Sequence, residues 1–282
     1  MNYRDLRLFT FGCSFTSYNW PTWADILGRE FGYYENWGRG ASGNQFIFNS
    51  VIECLLRNPP EPNDVYIIMW SNFLREDKYI NNQWICSGQV TASIDSYGAF
   101  YDKNYIKKYV DERGFMIRDY ALIEATHRVL KSYNIKHIFL SMVDMDNAGM
   151  SERSIIREGD IFELYKNMLS FVRPSVHKVI FNYDWNSIPF TIPEDKVLKV
   201  HKDDDPIPRY DTHPTRRYDA HPTPAEHLMY IEKVIPEFSN ISADTRAWVN
   251  KVETKIRSAE YWIEDFDPTF AGYRNRLYKT RL

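Results

Sequence analysis

A serine hydroxyl attacks a carbonyl only when a general base takes its proton and a third group orients that base. The chain carries a candidate for each role, widely separated in sequence. Ser14 lies in Phe11-Gly12-Cys13-Ser14-Phe15-Thr16, directly after the apolar run Leu6-Arg7-Leu8-Phe9-Thr10, and its small neighbours permit a tight bend. Near the other end, Asp219 and His221 stand in Asp219-Ala220-His221-Pro222-Thr223, at the entrance of a helical pattern. Acyl transfer also needs donors aimed at the developing oxyanion. Gly43, in Gly38-Arg39-Gly40-Ala41-Ser42-Gly43-Asn44, opens a helix and can present its backbone N–H, and Asn72 follows a strong strand with an amide donor. Taken singly, each has an ordinary structural role: serine and asparagine as caps, glycine as a turn residue, histidine as a hydrogen-bonded loop side chain. Their order along the chain, each at an element boundary, gives the combination its weight.

The histidine station is duplicated. Arg209-Tyr210-Asp211-Thr212-His213-Pro214-Thr215 is followed by Arg217-Tyr218-Asp219-Ala220-His221-Pro222-Thr223. His221 is the preferred base, because Pro222 and the helix beyond it fix its position, whereas His213 falls in a Pro- and Asp-rich loop. His227 reads as structural. The spacing of these histidines and their neighbouring aspartates matches no strong metal-ligand pattern, so no metal and no organic cofactor is expected.

The elements that must position these residues alternate. Buried strands are expected at 6–11, 64–70, 136–142 and 177–183, with a short one at 33–37. Helical spacing marks 20–31, 43–57, 114–133, 159–172 and 222–238. Strands separated by helices imply a mostly parallel sheet covered on both faces, with ligands at the carboxyl ends of its strands. Residues 75–113 break the rhythm and read as an insertion over one end of the sheet. Residues 239–282 form a C-terminal extension whose stripe of Trp248, Val252, Ile256, Ala259 and Ile263 docks on its own domain or serves a protein partner or homo-oligomer.

On the four stations in this order, the chain resembles the SGNH (GDSL-type) hydrolases over roughly residues 6 to 238. The resemblance implies an α/β fold, a three-layer α/β/α sandwich with a flavodoxin-like sheet. It also implies ester hydrolysis through an acyl-enzyme at Ser14, with His221 as base and Asp219 orienting it. The backbone N–H groups of Ser14 and Gly43 and the Asn72 side chain would form the oxyanion hole. Three positions depart from the family pattern. Cys13 replaces the aspartate of Gly-Asp-Ser; Trp70 and Phe73 flank Asn72 where glycine and aspartate are usual; and Asp-x-x-His is shortened to Asp219-Ala220-His221.

Composition narrows the rest. With 35 basic and 38 acidic residues, a net charge of −3 offers no global field for nucleic acid. Three cysteines without metal-like spacing argue against a disulfide scaffold. No apolar stretch approaches the ~18 residues of a membrane span, and the N-terminus lacks a signal-peptide layout, so a cytoplasmic chain is expected, or a virion-associated one if viral. Aromatics at Trp84, Tyr97, Tyr101 and Tyr105 in the insertion favour an O-acetylated carbohydrate over a lipid as the acylated partner. Gly38 to Gly43 also spell the dinucleotide fingerprint Gly-x-Gly-x-x-Gly, but no buried apolar strand precedes it. The stronger alternative is an inactive binding or structural component of a larger assembly, such as a virion, on the same fold.

Overall fold

The computed structural model describes residues 3–18, 20–90, 101–145, 164–165, 169–181 and 221–257. In chain order the elements are β1 (Arg7–Phe11), α1 (Trp23–Gly28), β2 (Tyr33–Asn36), α2 (Asn44–Arg57), β3 (Asp64–Trp70) and the hairpin strands β4 (Arg75–Ile80) and β5 (Gln83–Gln89). Then follow α3 (Lys103–Tyr109), α4 (Glu112–Ser132), β6 (Lys136–Ser141), α5 (Pro224–Val234) and α6 (Ala243–Arg257). Four strands pair in parallel in the order β2-β1-β3-β6. An isolated parallel bridge from Phe139 to Val172 adds one pairing at the β6 edge.

The period-2 alternation of a strand explains the layers. In β3, Val65, Ile67 and Met69 face one side and join Leu8, Ile138 and Leu140 in a core closed by α1, α5 and Val249 of α6. Tyr66, Ile68 and Trp70 face the other side, where Phe9, Phe11 and Phe139 meet α2 and α4 through Val51, Tyr120 and Ile123. All seven residues of β3 are buried, as expected for a central parallel strand with helices on both faces. The α/β sandwich anticipated from the sequence is therefore observed, with the flavodoxin-like order over these four strands.

Several boundaries differ from the sequence expectation. The helix expected over 20–31 spans only Trp23–Gly28, its start set by a capping box in which the Thr22 hydroxyl accepts from Ala24 N and the Asp25 carboxylate accepts from Thr22 N. The strand expected at 177–183 is instead a π-helical turn, His177–Phe181. Its start is set by Ser175, whose hydroxyl accepts from Lys178 N at 3.1 Å. That local bond overrides the β preference of Val179 and Ile180. The 75–89 stretch is an antiparallel hairpin turned by Asn81 and Asn82, both at positive φ, the backbone a two-residue hairpin demands.

Part of the apolar face of α6 packs within the chain. Val249 and Val252 are buried, and Trp248 packs on the same core as α5 while Arg29 lies over its ring at 4.6 Å. Ala259 and Ile263 lie outside the described residues. Among the described residues no helix is long and apolar enough to cross a membrane.

Candidate active site

Gly12 follows β1 and starts the turn that carries Ser14. A β-carbon there would stand 2.1 Å from Thr16 Oγ1 and 3.0 Å from Met69 O, so only glycine lets the turn pass this close to β3. The turn closes through Thr16 N and Ser17 N, both donating to Cys13 O, and leaves Ser14 9% exposed. Because the sheet is parallel, the loops after β1, β2, β3 and β6 emerge on one side. They are also bonded to one another. Arg39 N and Ser42 Oγ both donate to Gly12 O, at 2.9 and 3.1 Å. Asn44 exchanges a pair of bonds with the Ser71 backbone, at 2.7 and 3.0 Å.

Asn72 is 1% exposed, and its Oδ1 accepts from Leu74 N at 2.7 Å, which fixes the amide in an Asx turn. Behind it, Asn44 Nδ2 donates to Asp119 Oδ2 at 2.7 Å, and Arg118 Nε donates to Asp119 Oδ1 at 2.6 Å. Arg118 also ties down the carbonyls of Phe73 and Arg75. Burial pushes the Asp119 carboxyl up to about 6 despite the Arg118 charge.

His221 reaches the serine turn through its neighbours. Its ring stacks on Tyr18 at 3.7 Å and meets the Phe15 ring edge-on at 5.3 Å. Trp20 Nε1 donates to Pro222 O at 2.8 Å, and Thr223 caps α5 in a capping box with Glu226. The segment that begins at His221 thus packs against the turn that carries Ser14. Asp219 and His213 both lie outside the described residues, so the duplicated Asp-x-His is represented here by His221 alone. His227 is buried in α5, and burial lowers its imidazole to about 3, in keeping with a structural role.

Two features were not legible in the sequence. The first is a second imidazole. His177 stacks on Phe15 at 5.9 Å, is 3% exposed, and is lowered to about 4 by burial and then by the Arg75 charge. The second concerns Gly43, the expected oxyanion donor. Its N–H donates to the Asp77 carboxylate at 2.9 and 3.1 Å, and Phe46 N donates to the same group at 2.9 Å. Asp77 of the hairpin therefore caps α2 and occupies the donor assigned to the oxyanion. A β-carbon on Gly43 would lie 2.9 Å from both Arg75 Cβ and Asp77 Oδ2, so glycine is needed here for the close approach of the hairpin. Buried Asp77 is held above the ordinary carboxylate range by desolvation, against the pull of these N–H bonds.

The aromatics of 75–113 are largely committed to packing. Trp84 meets Phe46 and Tyr79 edge-on, Tyr101 is buried against Tyr105, and the Tyr105 hydroxyl donates to Glu76. Tyr97 lies outside the described residues. Cys13, Cys54 and Cys86 are free thiols, and no group of His, Cys, Asp and Glu that could hold a metal occurs among the described residues.

The buried imidazoles set a pH dependence. His177 and His227 are held neutral in the fold, at about 4 and about 3, and His137 is also lowered by burial. Each binds a proton more readily unfolded, near 6.5, so each lowers stability progressively as pH falls below that value and through the folded pKa. Asp119, between about 4 and 6, and the raised Asp77 act in the opposite sense, two carboxyls against three imidazoles. The urea midpoint is expected to be lower at pH 4.5 than at pH 7.5; an unchanged or higher midpoint at pH 4.5 would show that these imidazoles are not kept neutral.

No protein-family profile matches the chain, and no curated protein does. Among solved structures, it is similar to a member of the lipolytic protein G-D-S-L family from Veillonella parvula, at 12% identity and TM-score 0.37, over 66% of this chain and 86% of that one. It is also similar to a GDSL-like lipase from Bacteroides thetaiotaomicron, at 14% identity and TM-score 0.36, over 82% of this chain and 86% of that one.

Proposed function

We propose that the chain hydrolyses carboxylic esters. Ser14 Oγ attacks the acyl carbon while His221 takes its proton; the proton then passes to the leaving alkoxide, and water releases the acyl group by the reverse sequence. Asp219 is the residue we assign to orient His221. The observation that carries this reading is the packing of His221 against Phe15 and Tyr18, both on the turn that bears Ser14. The Ser14 N–H and the Asn72 amide are assigned as oxyanion donors, with Gly43 joining them once Asp77 is displaced. An O-acetylated carbohydrate is the preferred substrate class, on the ground that Trp84 and Tyr79 of the hairpin still present partly exposed ring surface.

The test is turnover of p-nitrophenyl acetate together with covalent trapping by a fluorophosphonate. Expected is a burst of nitrophenolate and a mass increment on the peptide containing Ser14. An absence of both would favour the second reading, an inert component of a larger assembly. The specific observation on that side is the Asp77 carboxylate seated on the Gly43 N–H.

A further inference from the structure

Arg75, the first residue of the hairpin, reaches the loops that follow β2 and β6. Its Nη1 donates to Ser42 O at 3.0 Å, and Nη2 points at the Met142 thioether, 3.7 Å away. Met142 in turn touches Cys13 Sγ at 3.6 Å, beside Ser14. A guanidinium has five N–H donors arranged to grip a planar oxyanion, and a thioether is a weak acceptor. Arg75 Nε is buried and has no hydrogen-bond partner. No carboxylate among the described residues forms a salt bridge with Arg75. Asp77 is near enough to feel its charge, yet spends its own oxygens on Gly43 N and Phe46 N. The same positive charge reaches His177 across the site. Burying part of a cation with one oxygen acceptor and an orphaned donor is unfavourable, and a bound anion would offset that cost.

We infer that Arg75 recognises a carboxylate carried by the ester substrate, on either its acyl or its alcohol side. This rests on the hydrolase reading and adds the substrate's charge to it. A sugar ester bearing an acidic group would meet both requirements.

The experiment compares matched esters with wild type, Arg75→Gln and Arg75→Lys. Monomethyl succinate is set against dimethyl succinate, and 4-acetoxybenzoate against its methyl ester. Wild type is expected to favour the anionic member of at least one pair by about tenfold or more in kcat/KM, the scale of a hydrogen bond to a charged group. Arg75→Gln should erase that preference, while Arg75→Lys should keep part of it. Gln can still donate to Ser42 O, so a role confined to tying the hairpin down would leave the ratio unchanged. Equal use of both members by wild type, or a preference that survives Arg75→Gln, would overturn the proposal. If no ester is turned over, the hydrolase reading fails on its own. Calorimetric binding of monomethyl succinate and 4-acetoxybenzoate then decides the role of Arg75. Binding by wild type that weakens at least tenfold in Arg75→Gln supports it; no binding, or equal binding, sinks it.

Discussion

His221→Ala should lower kcat/KM on a short neutral ester by about 10²–10⁴-fold, the range general acid–base catalysis contributes. Three contacts fix this imidazole: the Tyr18 stack, the Phe15 edge, and the bond from Trp20 to the following Pro222 carbonyl. On the proposed reading these contacts pre-organise His221 as the base, and the substitution removes that base. Ser14→Ala should lose about as much, and the double variant no more than either, because nucleophile and base act as a unit. His213→Ala is expected to cost less than about tenfold, since turnover then keeps its ordering elements. His177 supplies the sharper contrast. With an imidazole lowered to about 4, it is a weak base at neutral pH, and its removal should act mainly through lost packing beside Phe15. A loss in His177→Ala that matches Ser14→Ala, with His221→Ala largely active, would transfer the role of base to His177.

How far the sequence disclosed this site depends on the range of each interaction. β3 was legible because a strand buried on both faces must be apolar along its whole length, and Asp64–Trp70 is. The serine turn was legible because Gly12 and Cys13 are small where the chain must bend. The meeting of Phe15 and Tyr18 with His221 was implied by topology, since both segments lie at the same side of a parallel sheet. The π-helical turn was hidden by residues that favour a strand elsewhere, with a single Ser175 bond deciding the matter. The hairpin signal at Asn81-Asn82 was present, but polar strands such as Arg75-Glu76-Asp77-Lys78 carry no apolar alternation to announce themselves. Nothing local could reveal that Asp77 would close on Gly43, because that bond joins segments brought together only by the folded sheet. The same holds for Arg75 against Ser42 and for Asn44 against Ser71.

Asp77→Ala is expected to raise turnover while lowering stability, a combination few substitutions produce. Asp77 now accepts from Gly43 N and Phe46 N and so caps α2; losing a cap costs about 0.5–2 kcal/mol. The same loss frees the Gly43 N–H, and one well-aimed oxyanion donor is worth about 10²–10³ in kcat. It also removes the carboxylate seated on the Gly43 N–H, which would repel an oxyanion bound to the proposed donor. Even partial recovery of that donor should raise kcat by about tenfold or more. Asp77→Asn separates the two effects, because its amide oxygen can still cap the helix while the charge is gone. It should keep the urea midpoint close to that of wild type and raise kcat less than alanine does. The opposite pattern, with turnover falling in step with stability in both variants, would mean that Asp77 serves only as a helix cap and that acyl transfer draws its oxyanion donors from Ser14 and Asn72 alone.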